Sequence, residues 1–235
     1  MQVSNKLKTI SRSGSILHVV IGILVFGSIW GLVEATLGGA LHLVHFTYKG
    51  AITGGIGMSI MATFIVMYRR PKLVFLLAVI AALFKPLSAV IYGQPVFAPF
   101  VVNPASAILL EGLAFSLVVS LLYKGFESSI KTRIGVGVAA GYLSIILYGV
   151  IASAAGMGIW ASWGLADRAN SVLANGTGLA IVGTCLLLLG HLVSMRLRPK
   201  FWQFSDLKPK AFYTSTIAIT AFCWIGAAVA FASGL

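Results

Sequence analysis

Long apolar runs separated by short polar segments dominate this chain. Seven of the runs have about the 20 residues that an α-helix needs to cross the hydrocarbon core of a bilayer. They predict an all-α fold, a polytopic transmembrane bundle of about seven helices, with residues 1–235 forming one transmembrane domain. The predicted helices cover residues 16–38, 50–68, 73–92, 104–123, 134–156, 171–194 and 211–233.

The composition supports a membrane environment. Hydrophobic residues make up 59% of the chain and charged residues only 9%, whereas a soluble domain carries roughly 25% charged residues. So few charges cannot solvate a globular surface, so the lipid bilayer must cover most of this one. The net charge of +12 does not indicate a nucleic-acid partner, because the basic residues lie in short clusters between the apolar runs.

The basic clusters also predict the orientation. Cytoplasmic loops are enriched in Lys and Arg. The sequence therefore predicts a multi-pass protein of the cell (inner or plasma) membrane, with its amino terminus inside and its carboxyl terminus outside. Of the 17 Lys and Arg residues, those that fall on one side are Lys6, Lys8, Arg12, Arg69, Arg70, Lys72, Lys124, Lys131, Arg133, Arg196, Arg198, Lys200, Lys208 and Lys210.

Three ionisable residues, Glu34, Lys85 and Glu111, fall inside predicted helices. Each costs roughly 2.5–3.5 kcal/mol at a helix centre, so such residues normally face the interior of a bundle. Counted from the predicted helix ends, all three lie in the outer half of the membrane. Lys85 also precedes Pro86, which predicts a kink in the third helix.

Two interpretations of these charges follow. Lys85 can pair with Glu34 or Glu111 and so lock three helices together. The other interpretation is a small-molecule or ion site open to the outside. Both can hold, because one lysine cannot neutralise two carboxylates, and the remaining negative charge is free to receive a cation or a proton. The predicted site consists of Glu34, Lys85 and Glu111 with Asn103, Asn175, His42 and His45, which lie at the same end of the bundle.

A divalent metal is a further hypothesis for part of this set. Imidazole and carboxylate groups suit such ions, and His42 and His45 follow Glu34 at helical spacing. No other cofactor is indicated. The chain has no HExxH, GxSxG or Walker motif, so we assign no catalytic residue and no ATP hydrolysis. The alternatives to a transporter component are an intramembrane metal-dependent enzyme and a non-catalytic scaffold subunit.

Gly27, Gly31 and Ala35 form a stripe of small residues along the first predicted helix. Such a stripe permits close approach of another helix, either within the bundle or from a partner subunit.

Two stretches of the chain are similar to a known class of membrane protein. They are GSIWGLVEATLGGALHL at residues 27–43 and NPASAILLEGL at residues 103–113. Together with the helix count, the outer polar site and the small-residue stripe, the chain resembles the substrate-binding S-component of an energy-coupling-factor transporter. It is equally similar to prokaryotic polytopic membrane proteins of unassigned role. The first resemblance implies a six-helix bundle that binds a vitamin or metal from outside, and that pairs with a transmembrane coupling subunit and ATPases. The chain departs from it in having a seventh predicted helix and no vitamin-binding signature.

Overall fold

The computed structural model describes residues 15–235, which fold into helices and short connections without a β-strand. Two short 3₁₀ turns, Pro71–Leu73 and Gly158–Ala161, lie between helices. The helices are α1 (Ile16–Leu43), α2 (Lys49–Tyr68), α3 (Phe75–Ala82), α4 (Phe84–Ile91), α5 (Pro99–Leu121), α6 (Tyr123–Ser128), α7 (Ile130–Ala154), α8 (Leu165–Leu207) and α9 (Pro209–Ala232).

The prediction of an all-α, multi-pass membrane protein is confirmed. Within residues 15–235, 7 helical segments are long and apolar enough to cross a membrane, with α3 and α4 forming one span, Pro71–Ile91. Large apolar side chains also cover the outside of the bundle, among them Ile181, Phe222 and Ile225, each more than 60% exposed. Such a surface requires lipid around it.

We call the end of the bundle where α2 and α5 finish the basic end, and the opposite one the far end. Lys6, Lys8 and Arg12 lie outside the described residues. The remaining eleven residues of the basic clusters lie towards the basic end, in its connections or in the helical turns next to them. The assignment of the basic end to the cytoplasm stays a prediction.

Helix α2 lies at the centre of the bundle and α9 at its edge. α2 packs most extensively on α8 and also contacts α1 and α5. Within an apolar stretch of 18 residues in each helix, 67% of the residues are buried in α2 and 22% are buried in α9. α9 packs on the outside, against α1 and α4. The architecture is therefore a bundle of six spans with a seventh helix on its flank.

The small-residue stripe of α1 serves packing within the chain. A Cβ at Gly27 would lie 2.6 Å from Cβ of Ile80, and a Cβ at Gly31 would overlap the ring of Phe84. α1 therefore approaches α3 and α4 closely along this stripe. Ala35 continues it and is buried against the same ring.

The span formed by α3 and α4 is interrupted where the sequence predicts a kink. α3 ends at Ala82 and α4 begins at Phe84. The ring of Pro86 cannot donate to the carbonyl of Ala82, four residues earlier, and clashes with it in a regular helix. The break follows from this missing hydrogen bond, and it presents Lys85 at the start of α4.

Three predicted helices had an end that was wrong by five residues or more, and the first of them, α1, ends at Leu43 rather than at residue 38. α5 begins at Pro99 rather than at residue 104, because the ring of Pro99 presets a helical φ at a first-turn position that needs no donor. Asn103 therefore lies inside the helix. α8 begins at Leu165 and runs 43 residues to Leu207, so Asn175 lies well inside it, and residues 195–207 are helical rather than a loop.

Tertiary packing explains the length of α8, since Pro199 on its own would favour a break. Trp202 is fully buried, and its Nε1 donates to the Met67 carbonyl at 3.3 Å. Ser205 Oγ lies 2.9 Å from His18 Nε2. These contacts hold the last turns of α8 against α1 and α2. The remaining predicted helix ends agree with the structure within about five residues.

Candidate functional site

Glu34 and Lys85 form an ion pair inside the bundle. Lys85 Nζ lies 3.8 Å from Glu34 Oε2 and donates a hydrogen bond to the Glu34 backbone carbonyl at 3.2 Å. Glu34 is 8% exposed. The pair fastens α1 to α4 immediately after the break at Leu83, and it uses the single positive charge that the predicted site contains.

Glu111 has no such partner. Within residues 15–235, Lys85 makes no ion pair with it, and the buried Oε2 of Glu111 accepts no hydrogen bond. Its Oε1 lies against α2, 2.9 Å from where a Cβ of Gly54 would be. Glu34 and Lys85 lie within electrostatic range of Glu111. The two carboxylates thus have one ammonium group near them, that of Lys85, and it is paired with Glu34.

The two carboxylates lie at one level of the bundle, on two faces of α2. Glu34 Oε2 is 3.4 Å from the Cβ position of Gly38, which is also 3.7 Å from Thr53 Cγ2. Glu111 faces Gly54, the next residue of α2. Glu34 and Glu111 therefore lie beside neighbouring residues of α2, at a similar depth, with Lys85 paired to Glu34.

A cavity of about 210 Å³ opens beside Glu111 at the far end. It lies between α2, α5, α7 and α8, under the connection from α1 to α2 and the Gly158–Ala161 turn. Of the predicted site residues it includes Glu111 and Asn175. The other side chains that shape it are Tyr48, Ser144, Tyr148, Trp160, Ser171 and Leu179.

Aromatic rings form one wall of this cavity. Trp160 packs edge-on against Tyr148, with 6.2 Å between ring centroids. The Trp160 ring also lies directly on Gly149 of α7. A side chain at position 149 would occupy the space of this ring. Tyr48 comes in from the connection before α2.

Hydrogen-bond acceptors also line the cavity. Asn175 Nδ2 donates to Ser171 Oγ at 3.0 Å, which leaves the amide oxygen of Asn175 as an acceptor. Ser144 donates its hydroxyl hydrogen to the Gly141 carbonyl at 2.9 Å, so its lone pairs are also available. Together with Glu111, these groups give the cavity three hydrogen-bond acceptors.

The structure does not bring the other predicted residues into the cavity. Asn103 is half-buried two turns before Glu111 on α5. His42 is exposed and its Nδ1 lies 2.6 Å from Lys49 Nζ, while His45 is exposed in the turn after α1 with φ 52. In the described part of the chain no three His, Cys, Asp or Glu side chains could hold a metal ion together. The metal hypothesis therefore finds no ligand set there.

Sequence reasoning missed most of the cavity wall. Trp160, Ser144, Tyr148 and Ser171 were not among the predicted site residues. A signal was present: Ser144 and Tyr148 are four residues apart on α7, and so are Ser171 and Asn175 on α8. Each pair therefore lies on one helix face, and these faces meet at the cavity.

The basic end contains a contrasting cluster in which the carboxylate is fully paired. Glu127 lies 3.4 Å from Arg69 Nε and accepts a hydrogen bond from the Tyr123 hydroxyl at 2.8 Å. Burial and this hydrogen bond raise the pKa of Tyr123 to about 12. The cluster ties α2 to α6, and Glu127 offers a matched comparison for Glu111.

The fold and the cavity together define the chain as an integral membrane protein with a six-span bundle, a flanking seventh helix and an acidic cavity at the far end. No protein-family model, curated protein or solved structure matches it.

Proposed function

We propose that this protein is the solute-binding component of a membrane transport system, and that it captures a small solute or ion in the cavity beside Glu111. One observation carries the proposal: within residues 15–235 a carboxylate oxygen of Glu111 is buried in the membrane span without a hydrogen-bond partner, and Glu111 is one of the residues that line a cavity. An unpaired ionisable group at this depth costs roughly 2.5–3.5 kcal/mol. A ligand that supplies the missing partner offsets that cost.

The cavity favours binding over the two alternative functions. A scaffold subunit needs no cavity lined by convergent polar groups. An intramembrane enzyme needs a nucleophile beside a base, or a metal. The cavity wall contains neither histidine nor cysteine, and its one ionisable carboxylate is Glu111.

The resemblance to energy-coupling-factor S-components supports the further proposal of a transmembrane coupling subunit and ATPases as partners. Those proteins capture solutes from outside, and here the cavity lies opposite the basic end, which the positive-inside rule places in the cytoplasm. Purification in mild detergent from its native membrane tests the partnership. We expect a transmembrane subunit and ATPases to accompany the chain in fixed ratio, and recovery of the chain alone would contradict the partnership.

The proposed function is tested with Glu111→Gln. We expect wild-type protein, purified after exposure to a small-molecule extract of its source cells, to release a bound solute on denaturation. The Glu111→Gln variant should release at least about tenfold less, since a charged hydrogen bond contributes roughly 1.5–3 kcal/mol. Mass spectrometry of the released small molecules makes the comparison.

Glu127→Gln is the matched control, because it removes a paired carboxylate at the basic end. It should retain the wild-type amount of solute. Equal solute in wild type and Glu111→Gln, with both folded, would reject the cavity as the binding site.

Gly54→Ala provides an independent test of the same geometry. The new methyl group would lie 2.9 Å from Glu111 Oε1 and 3.0 Å from Leu179 Cδ1, so the carboxylate has to move. We expect solute retention to fall about tenfold, with a stability change of less than about 1.5 kcal/mol, because both contacting groups are the ends of flexible side chains.

Gly38→Ala is the control for this variant. Its methyl group would lie 3.4 Å from Glu34 Oε2, at ordinary contact distance. Retained solute in Gly38→Ala and lost solute in Gly54→Ala would locate the site at Glu111. The reverse result would locate it at the ion pair.

A further inference from the structure

The groups around the cavity identify the charge that its ligand should carry. Glu111 contributes a carboxylate, and Asn175 and Ser144 contribute acceptor oxygens; the Ser144 hydroxyl hydrogen and one amide hydrogen of Asn175 already donate to other groups. The ammonium group of Lys85 is paired with Glu34 instead. Among the described residues, no Lys or Arg lines the cavity. This set suits a ligand that donates hydrogen bonds and carries positive charge.

The aromatic wall adds a second requirement. Cations bind to the faces of Trp and Tyr rings by attraction to the ring quadrupole. Trp160, Tyr148 and Tyr48 give the cavity three such rings, and the first two are held against each other. An inorganic cation with an intact hydration shell gains little from these rings, whereas an organic cation with an apolar body packs against them.

The volume limits the size of the ligand. About 210 Å³ corresponds to roughly seven water molecules at about 30 Å³ each. A compact ligand with one ring or a short aliphatic body fills this space. A long-chain lipid or a nucleotide does not fit within it.

On the basis of the proposed function, we infer that the ligand class is a small organic cation, a protonated amine whose ammonium group donates to Glu111, Asn175 and Ser144 and whose body packs against Tyr148 and Trp160. The ammonium has three donors, which matches the three acceptors. The ligand thereby supplies the positive charge that Glu111 lacks.

Three isosteric probes test the charge requirement on purified protein in detergent: benzylammonium, benzyl alcohol and benzoate. Binding is measured by isothermal titration calorimetry and by the ligand-dependent rise in unfolding temperature. We expect benzylammonium to bind at least about tenfold more tightly than benzyl alcohol, as for a charge-assisted hydrogen bond, and benzoate to give no rise. Sodium and potassium chloride at equal concentration should give none.

Two variants then locate the bound amine. Glu111→Gln should weaken benzylammonium binding about 10- to 100-fold, and Tyr148→Leu about 2- to 30-fold. Glu127→Gln should leave it unchanged. Because the comparison of the three probes uses wild-type protein, it decides the inference even where a variant fails to fold.

The outcomes separate the inference from the proposed function. Preference for benzyl alcohol or benzoate, or an equal response to sodium, overturns the amine class and leaves a solute-binding cavity. Binding of benzylammonium that Glu111→Gln does not alter overturns the inferred position of the ammonium. Release of equal amounts of native solute from wild type and Glu111→Gln overturns the proposed function itself.

Discussion

Lys85→Met is expected to destabilise the protein by about 3–5 kcal/mol, because it leaves the buried Glu34 carboxylate without its partner. Lys85 Nζ contacts both the carboxylate and the backbone carbonyl of Glu34, and methionine replaces neither contact. Methionine does retain the apolar stem, so the loss reports on the charge. Equilibrium unfolding in mixed micelles measures the difference.

The double variant Lys85→Met with Glu34→Gln separates the ion pair from simple packing. It removes both charges, and replacement of both partners of a buried pair is often close to neutral. We expect it to recover most of the stability that Lys85→Met loses. Lys49→Met is the control, since the Lys49 ammonium lies against the exposed His42. A loss below about 1 kcal/mol in Lys85→Met, the value typical of a surface pair, would mean that this contact does not hold α4 in place.

The ionisable residues show which features of the site can be predicted from the sequence alone. The cost of charges in hydrocarbon predicts that Glu34, Lys85 and Glu111 face inward, and the count of one lysine against two carboxylates predicts a leftover negative charge. Which carboxylate takes the lysine depends on the position of α4 relative to α1 and α5. That position is a property of the packed bundle, so periodicity along the chain could not reveal it.

The helix ends were predictable where local chemistry decides them and not where distant contacts do. Pro86 alone accounts for the break after Ala82. The last turns of α8 depend instead on Trp202 reaching Met67 and on Ser205 reaching His18. Those partners are more than 130 residues away in sequence, so a basic segment containing Pro199 was wrongly predicted as a loop.

The aromatic wall of the cavity escaped prediction for a similar reason. A tryptophan near a helix end is typical of the membrane interface, and Trp160 matches that pattern. Its position over Gly149 and beside Tyr148 follows from the 3₁₀ turn folding back on α7. The sequence contains the residues of the wall but not the direction of that turn.

Gly112→Ala is expected to destabilise the bundle by about 1–3 kcal/mol, the usual range for overpacking. Gly112 lies on α5, and its added methyl group would overlap the side chain of Ala78 on α3, which is fully buried. A methyl group of alanine cannot rotate away, so the two helices must separate. This loss exceeds the gain of roughly 0.5–1 kcal/mol that alanine brings over glycine within a helix.

A compensating change makes this prediction specific. Gly112→Ala combined with Ala78→Gly moves one methyl group from α3 to α5 and keeps the volume of the contact. The double variant should therefore be more stable than Gly112→Ala alone, as equilibrium unfolding measures. Gly135→Ala is the matched control, because a methyl group there meets no atom within 4 Å, and it should cause no loss. If both glycine variants are equally stable, α3 and α5 do not approach as closely as the structure shows. The position of Glu111, the residue before Gly112 on α5, would then differ from the one described here.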